Sequence, residues 1–158
     1  MTHITTPTFK SIILTHIVLC LLATISIGIF YTLRVQGIGT PEDFDSGLLL
    51  KLAIPLYAII SYAVAYFIGK SKIKKLKKGD SLSVKLEVYK KWNLMQWAAI
   101  EGSIFFASIG FFLSGRNNLL LYALMLGVML IYFRPLKARA VELLDLQPEE
   151  ADQLFENV

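Results

Sequence analysis

Four long apolar stretches separated by short polar ones dominate the chain. Ser11–Leu33 is a run of 23 residues without a formal charge. Leu52–Gly69 follows, and Leu48–Leu50 ahead of Lys51 can lengthen it, giving a second stretch over 48–69. Leu94–Gly115 contains one charged residue, Glu101, and Leu119–Phe133 contains none. A helix needs about 20 residues at 1.5 Å rise to cross roughly 30 Å of hydrocarbon. The first three runs meet that length. The fourth is short, and Arg116, Asn117, Asn118 and Arg134 can extend it over 117–134 by snorkelling. The pattern therefore predicts an all-α fold, a bundle of four transmembrane helices in a single membrane domain over 1–158. The first run is too long for a signal-peptide core and lacks a small-residue cleavage pattern after it, so it reads as a spanning helix.

Composition agrees with this reading. Of 158 residues, 55% are apolar and only 18% charged, with a mean hydropathy of +0.58, whereas a soluble domain carries about 25% charged residues. The net charge of +4 is modest, but its placement is uneven. Lys70–Lys91 holds nine lysines against Asp80 and Glu87, while Arg34–Gly47 holds one arginine against Glu42, Asp43 and Asp45. Basic residues in short loops resist translocation. The lysine segment, both termini, and Arg134, Lys137 and Arg139 are therefore expected on the cytoplasmic side of an inner membrane, crossed several times. Trp92 and Trp97, bracketing the start of the third run, are expected in an interfacial aromatic belt.

The segment 70–93 predicts a helical arm that continues spans two and three into the cytoplasm. Ile73 with Leu76, and Leu82 with Leu86 and Tyr89, recur at helical spacing. Gly79 and Asp80 suit the end of one helix and the N-cap of the next, so two helices turning at Gly79–Asp80 are expected. The arm would project about 15 Å. Leu82, Val84, Leu86 and Val88 also alternate as in a strand, but continuity with the third span favours helix. Lys70, Lys72, Lys74, Lys75, Lys77 and Lys78 either contact anionic lipid head groups or form a solvated face that serves only as a topology signal. Interleaved arginines and aromatics are lacking, which argues against nucleic acid as a partner.

Glu101 is the acid placed well inside a span, about 10 Å below the surface counting from Leu94; His16 lies about 8 Å down counting from Ser11. Both fall at one level, and Arg134 can reach toward them. An acid facing lipid costs several kcal/mol. Three roles follow: a hydrogen-bonded structural residue, a proton or cation site, or an ion pair with Arg134. His16 by itself reads most simply as a hydrogen-bonded core histidine. At 100° per residue, Ala99, Ser103, Ala107, Gly110 and Ser114 form a small-residue stripe suited to close helix packing. Glu101 falls nearly opposite, with Trp97, Ser108 and Phe112. If each face needs protein, the chain alone does not provide it, and a homo-oligomer or a partner membrane subunit on span three is expected.

Pro55 predicts a kink in span two, and Pro135 ends or bends span four. The tail 135–158 reads as an amphipathic helix with Val141, Leu144 and Leu146 apolar, then a fresh helix opened by Pro148, Glu149 and Glu150. Residues 142–158 carry six acids and no base; they dock on the lysine arm or stay solvated. Catalytic signatures are missing: the sequence has no HExxH, nucleophile elbow or phosphate loop. With two histidines and Cys20 as its one thiol, it lacks the usual means of assembling a metal site. No enzyme activity, cofactor or metal is expected. Cys20 reads as a small buried hydrophobe.

The run Trp97–Phe106, followed by Arg134–Lys137 and Leu146–Glu150, resembles small bacterial four-helix integral membrane proteins. The resemblance spans nearly the whole chain and implies a fold and a location, without an activity. The length and the intramembrane acid are also similar to those of the duplicated proton-carrying ring subunits of rotary ATPases, but the glycine-rich packing repeats of that family are missing here. Two functions follow as expectations. One is a membrane subunit or scaffold that associates through span three; the alternative is an oligomeric proton or ion pathway using Glu101.

Overall fold

The computed structural model describes residues 9–38, 47–77 and 79–156, with side chains for all of these except 47–49 and 156. Six helices and no strand form among them: α1 Phe9–Val35, α2 Gly47–Ile73, α3 Leu82–Ser114, α4 Asn117–Tyr132, α5 Lys137–Leu144 and α6 Pro148–Glu156. Three of these, α1, α2 and α3, are long and apolar enough to cross a membrane. A fourth crossing is added if α4 and α5, bent by 74° at their junction, count as one span. The acidic stretch with Glu42, Asp43 and Asp45 lies outside the described residues.

α3 organises the fold. Its 33 residues extend about 50 Å, and it packs against α1, α2 and α4. Apolar burial between helices gains little in lipid, so close backbone approach and side-chain fit must hold them together. The small-residue stripe supplies that approach. Ser103, Ala107 and Gly110 are buried, and a Cβ at Gly110 would lie 2.9 Å from Ile54 Cδ1 on α2 and 3.1 Å from Leu119 Cδ1 on α4. At the lysine-rich end, Trp92 lies flat against Gly69 of α2, where any added methyl would overlap the indole. At the opposite end, Gly115 closes α3 with φ +65° and donates to Phe111 O. The Arg34 guanidinium occupies the space a side chain at 115 would need. Glycine is required there on both counts.

Several expectations change. Trp92 and Trp97 are buried, at 3% and 0% exposure, so they pack between helices instead of anchoring at the membrane surface. The arm is helical in part. α3 does begin twelve residues before Leu94, but α2 stops at Ile73 and turn structure covers Lys74 and Lys75. Lys70, Lys74 and Lys77 would repel one another one turn apart in a continued helix. Ser81 takes the N-cap position expected for Asp80, whose carboxylate instead accepts from the Lys77 N–H at 2.8 Å. α2 runs unbroken through Pro55, which leaves the Lys51 carbonyl without its usual intrahelical donor. Pro135 does end α4, and Pro148 does open α6 with Glu149 and Glu150 in its first turn.

Candidate functional site

Side chains of α1 and α3 meet the backbone at the break between α4 and α5, and the break explains why. Pro135 has no N–H, so the Ile131 carbonyl loses its donor from one turn ahead. The Arg134 N–H turns to Ile131 O at 3.2 Å, which frees the Leu130 carbonyl. His16 Nε2–H reaches across from α1 to donate to Leu130 O at 3.0 Å. Trp97 Nε1–H, from α3, donates to Phe133 O at 3.0 Å. The two rings meet at 4.8 Å between centroids. A carbonyl can only accept, so His16 carries its proton on Nε2. The Cys20 sulfur lies beside the same ring, 3.7 Å from Nε2 and 3.9 Å from Nδ1. Two neighbouring helices thus cap the end of a third, which satisfies backbone groups that lipid leaves unpaired. His16 is the hydrogen-bonded core histidine that its position predicts.

Glu101 joins none of these hydrogen bonds. It is half-buried and forms no hydrogen bond or ion pair among the described residues. Arg134 is exposed and does not pair with it. Trp97 and Ser108, expected on the face of Glu101, are buried by the chain's own helices at 0% and 1% exposure. The stripe at Ser103, Ala107 and Gly110 is covered as well, while Ala99 and Ser114 are half-buried beside it. The chain's own helices therefore cover most of both faces. A narrower strip stays open: Leu94 and Phe105 are 40% and 46% exposed, Ala98 is exposed, and Glu101 falls within 60° of them on the helix.

The lysine-rich end holds a second polar site. Lys85, 1% exposed, is gripped by both oxygens of Glu150 at 2.8 and 2.7 Å. Burial pushes the Glu150 carboxyl up, but the bonds from Lys85 and the Gln147 N–H, with the Lys85 charge, outweigh it and hold the carboxyl below the usual carboxylate range. The acidic tail therefore docks. The signal for Lys85 among nine lysines is its place in the i, i+3, i+4, i+7 pattern of Leu82, Lys85, Leu86 and Tyr89 on one side of α3. Arg139 of α5 sits over the rings of Trp92 and Phe133, with its Cζ 5.9 and 5.7 Å from their centroids. Trp92 Nε1 and Gln96 Nε2 are buried without a protein partner.

Of the six lysines singled out in the arm, Lys70 donates to Tyr66 Oη at 3.3 Å, and Lys72, Lys74, Lys75 and Lys77 are exposed. Lys78 lies outside the described residues. Lys74 and Lys77 join Lys85 and Asp145 around a cavity of about 250 Å³. No family model, curated protein or solved structure matches this chain. Its function is read from its own geometry.

Proposed function

We propose that this protein is a non-enzymatic inner-membrane subunit or scaffold that binds a second copy of itself or another membrane protein through α3. The observation that carries this is Glu101. An acid without a hydrogen-bond or ion-pair partner among the described residues, on a strip otherwise made of Leu94, Ala98 and Phe105, is costly against lipid. A hydrogen-bond donor or cation on a neighbouring helix relieves that cost. The contact face is this open strip, in place of the small-residue stripe that α2 and α4 occupy.

The same proposal takes the chain as a four-span bundle with both termini in the cytoplasm, the bent α4–α5 pair serving as the fourth crossing. The lysine excess of 70–91 over the acidic 34–47 segment supports that orientation. The exposed lysines then face anionic head groups of the inner leaflet, each worth about 1 kcal/mol.

Single cysteines placed in a Cys20→Ala background test the reading. Cysteines at Ala98 and Phe105 should crosslink to a neighbouring chain in native membranes, while cysteines at Ser103 and Ala107 should not. A monomer in mild detergent, with no crosslink from the open strip, would remove the proposal. The alternative, a proton or ion pathway, rests on the same carboxyl, which has no hydrogen-bond or ion-pair partner among the described residues. Glu101→Gln separates the two in proteoliposomes. A pathway loses pH-dependent flux, whereas an assembly contact shows none before or after.

A further inference from the structure

α1 and α4 do not close on each other along their length. Between them runs an apolar groove of about 400 Å³ lined by Ile13, Ile17, Cys20, Thr24, Ile131 and Arg134, among others. It continues past Cys20, Thr24 and Ile131 into a second space of about 210 Å³ beside Ala23, Gly127 and Val128. Gly127 keeps the far part open, since a Cβ there would meet only Ile27 Cδ1, at 4.0 Å. From Ile13 to Ile27 the groove follows α1 for about 21 Å. One leaflet of hydrocarbon is about 15 Å deep, so an extended acyl chain fits lengthwise.

Charge marks one end. Arg134 lines the groove where α4 breaks, and its side chain is exposed. Lys10, also exposed, sits one turn before Ile13. Neither forms an ion pair among the described residues. A cationic mouth on an apolar slot has the polarity of a phospholipid with an anionic head group, and cationic pockets between membrane helices recognise such head groups. We infer that the α1–α4 groove is a binding site for one anionic phospholipid, its phosphate on Arg134 and one acyl chain lying along Cys20 and Thr24 toward Gly127.

This site rests on the chain being embedded in a bilayer, but not on association through α3, because the open strip of α3 is a different surface. The test uses the full chain in mixed phosphatidylcholine–phosphatidylglycerol nanodiscs, transferred to mild detergent, with retained lipid read by native mass spectrometry. Wild type should keep a single phosphatidylglycerol in preference to phosphatidylcholine. Arg134→Gln, at an exposed position, should lower that preference about fivefold. Gly127→Leu should fill the far groove and abolish retention of either lipid. Excess glycerol 3-phosphate should not displace the lipid, because it lacks the chain. Equal retention of the two lipids would overturn the site, as would unchanged retention in both variants or displacement by glycerol 3-phosphate. A dimer that Gly127→Leu dissolves, with no change in lipid, would give the groove to a second copy instead. Crosslinks at Ala98 and Phe105 should be unaffected by either variant, so a failure here is distinct from a failure of the α3 contact.

Discussion

The two polar clusters of this protein, one at the α4 break and one at the lysine-rich end, solve opposite problems. At the break, His16 and Trp97 spend their N–H groups on backbone carbonyls that Pro135 left unpaired. Each contact replaces a hydrogen bond that the helix itself lost. At the lysine-rich end, Lys85 and Glu150 pair through full charges across 65 residues of sequence, and Glu150 also accepts from the Gln147 N–H. The first cluster repairs secondary structure; the second fastens a separate helix to the bundle. Removing half of either should therefore cost very different amounts. A buried ammonium stripped of its partner is far worse than one backbone carbonyl left to relax.

The largest effect is expected at the tail. Glu150→Ala strands the buried Lys85 ammonium and should destabilise the fold by about 3 kcal/mol, read as a lowered melting temperature in detergent and faster proteolysis of α6. The double replacement Lys85→Met with Glu150→Leu should recover most of that loss, since an apolar pair of similar volume needs no solvation. If Glu150→Ala melts like wild type, the tail is not held by this pair.

Gly69→Ala comes next, because the added methyl overlaps the Trp92 ring. Overpacking of this kind costs about 1–3 kcal/mol, and Trp92→Leu in the same chain should relieve it. His16→Phe is smaller, about 1 kcal/mol, in the range of hydrogen bonds between membrane helices. It also sharpens the comparison: with Pro135→Ala, the helix ladder can recapture Leu130 and Ile131 carbonyls, so His16→Phe should then cost less. Equal costs with and without Pro135 would show that His16 does not serve the break.

Acid has the smallest and most selective effect. The Glu150 carboxyl is held below its ordinary range in the folded protein, so its contribution is complete above the ordinary carboxylate pKa of about 4.3. It is lost as pH falls below that and through the lowered folded value. Protease sensitivity of α6 should rise in that acidic window alone, and Glu150→Gln should flatten the response.

Most of the helix inventory was legible in the chain. Four apolar runs became α1 to α4 within a few residues at most ends, Pro135 ended α4, and Pro148 opened α6. Hydrophobic length and proline act locally, so they leave their mark in the order of residues. The identity of the polar site was legible only in part. His16 was visible as a histidine in an apolar run, yet its partner, Leu130 O, is a backbone atom 114 residues away, and any residue type carries a carbonyl. Trp97 was misplaced for a related reason: an indole near a span end suits an interface or an interior equally, and only the neighbouring helices decide which.

What the sequence by itself determined is where helices form and which of them are apolar enough for lipid, because those properties sum over adjacent residues. Tertiary structure alone decided which surfaces of α3 are used. α1, α2 and α4 pack around it, so the small-residue stripe turned inward and left Glu101 at the edge of an open strip. Tertiary structure also chose Lys85 from nine lysines as the anchor for the tail. Both outcomes depend on distances between segments far apart in the chain, and residue order constrains those distances only through packing.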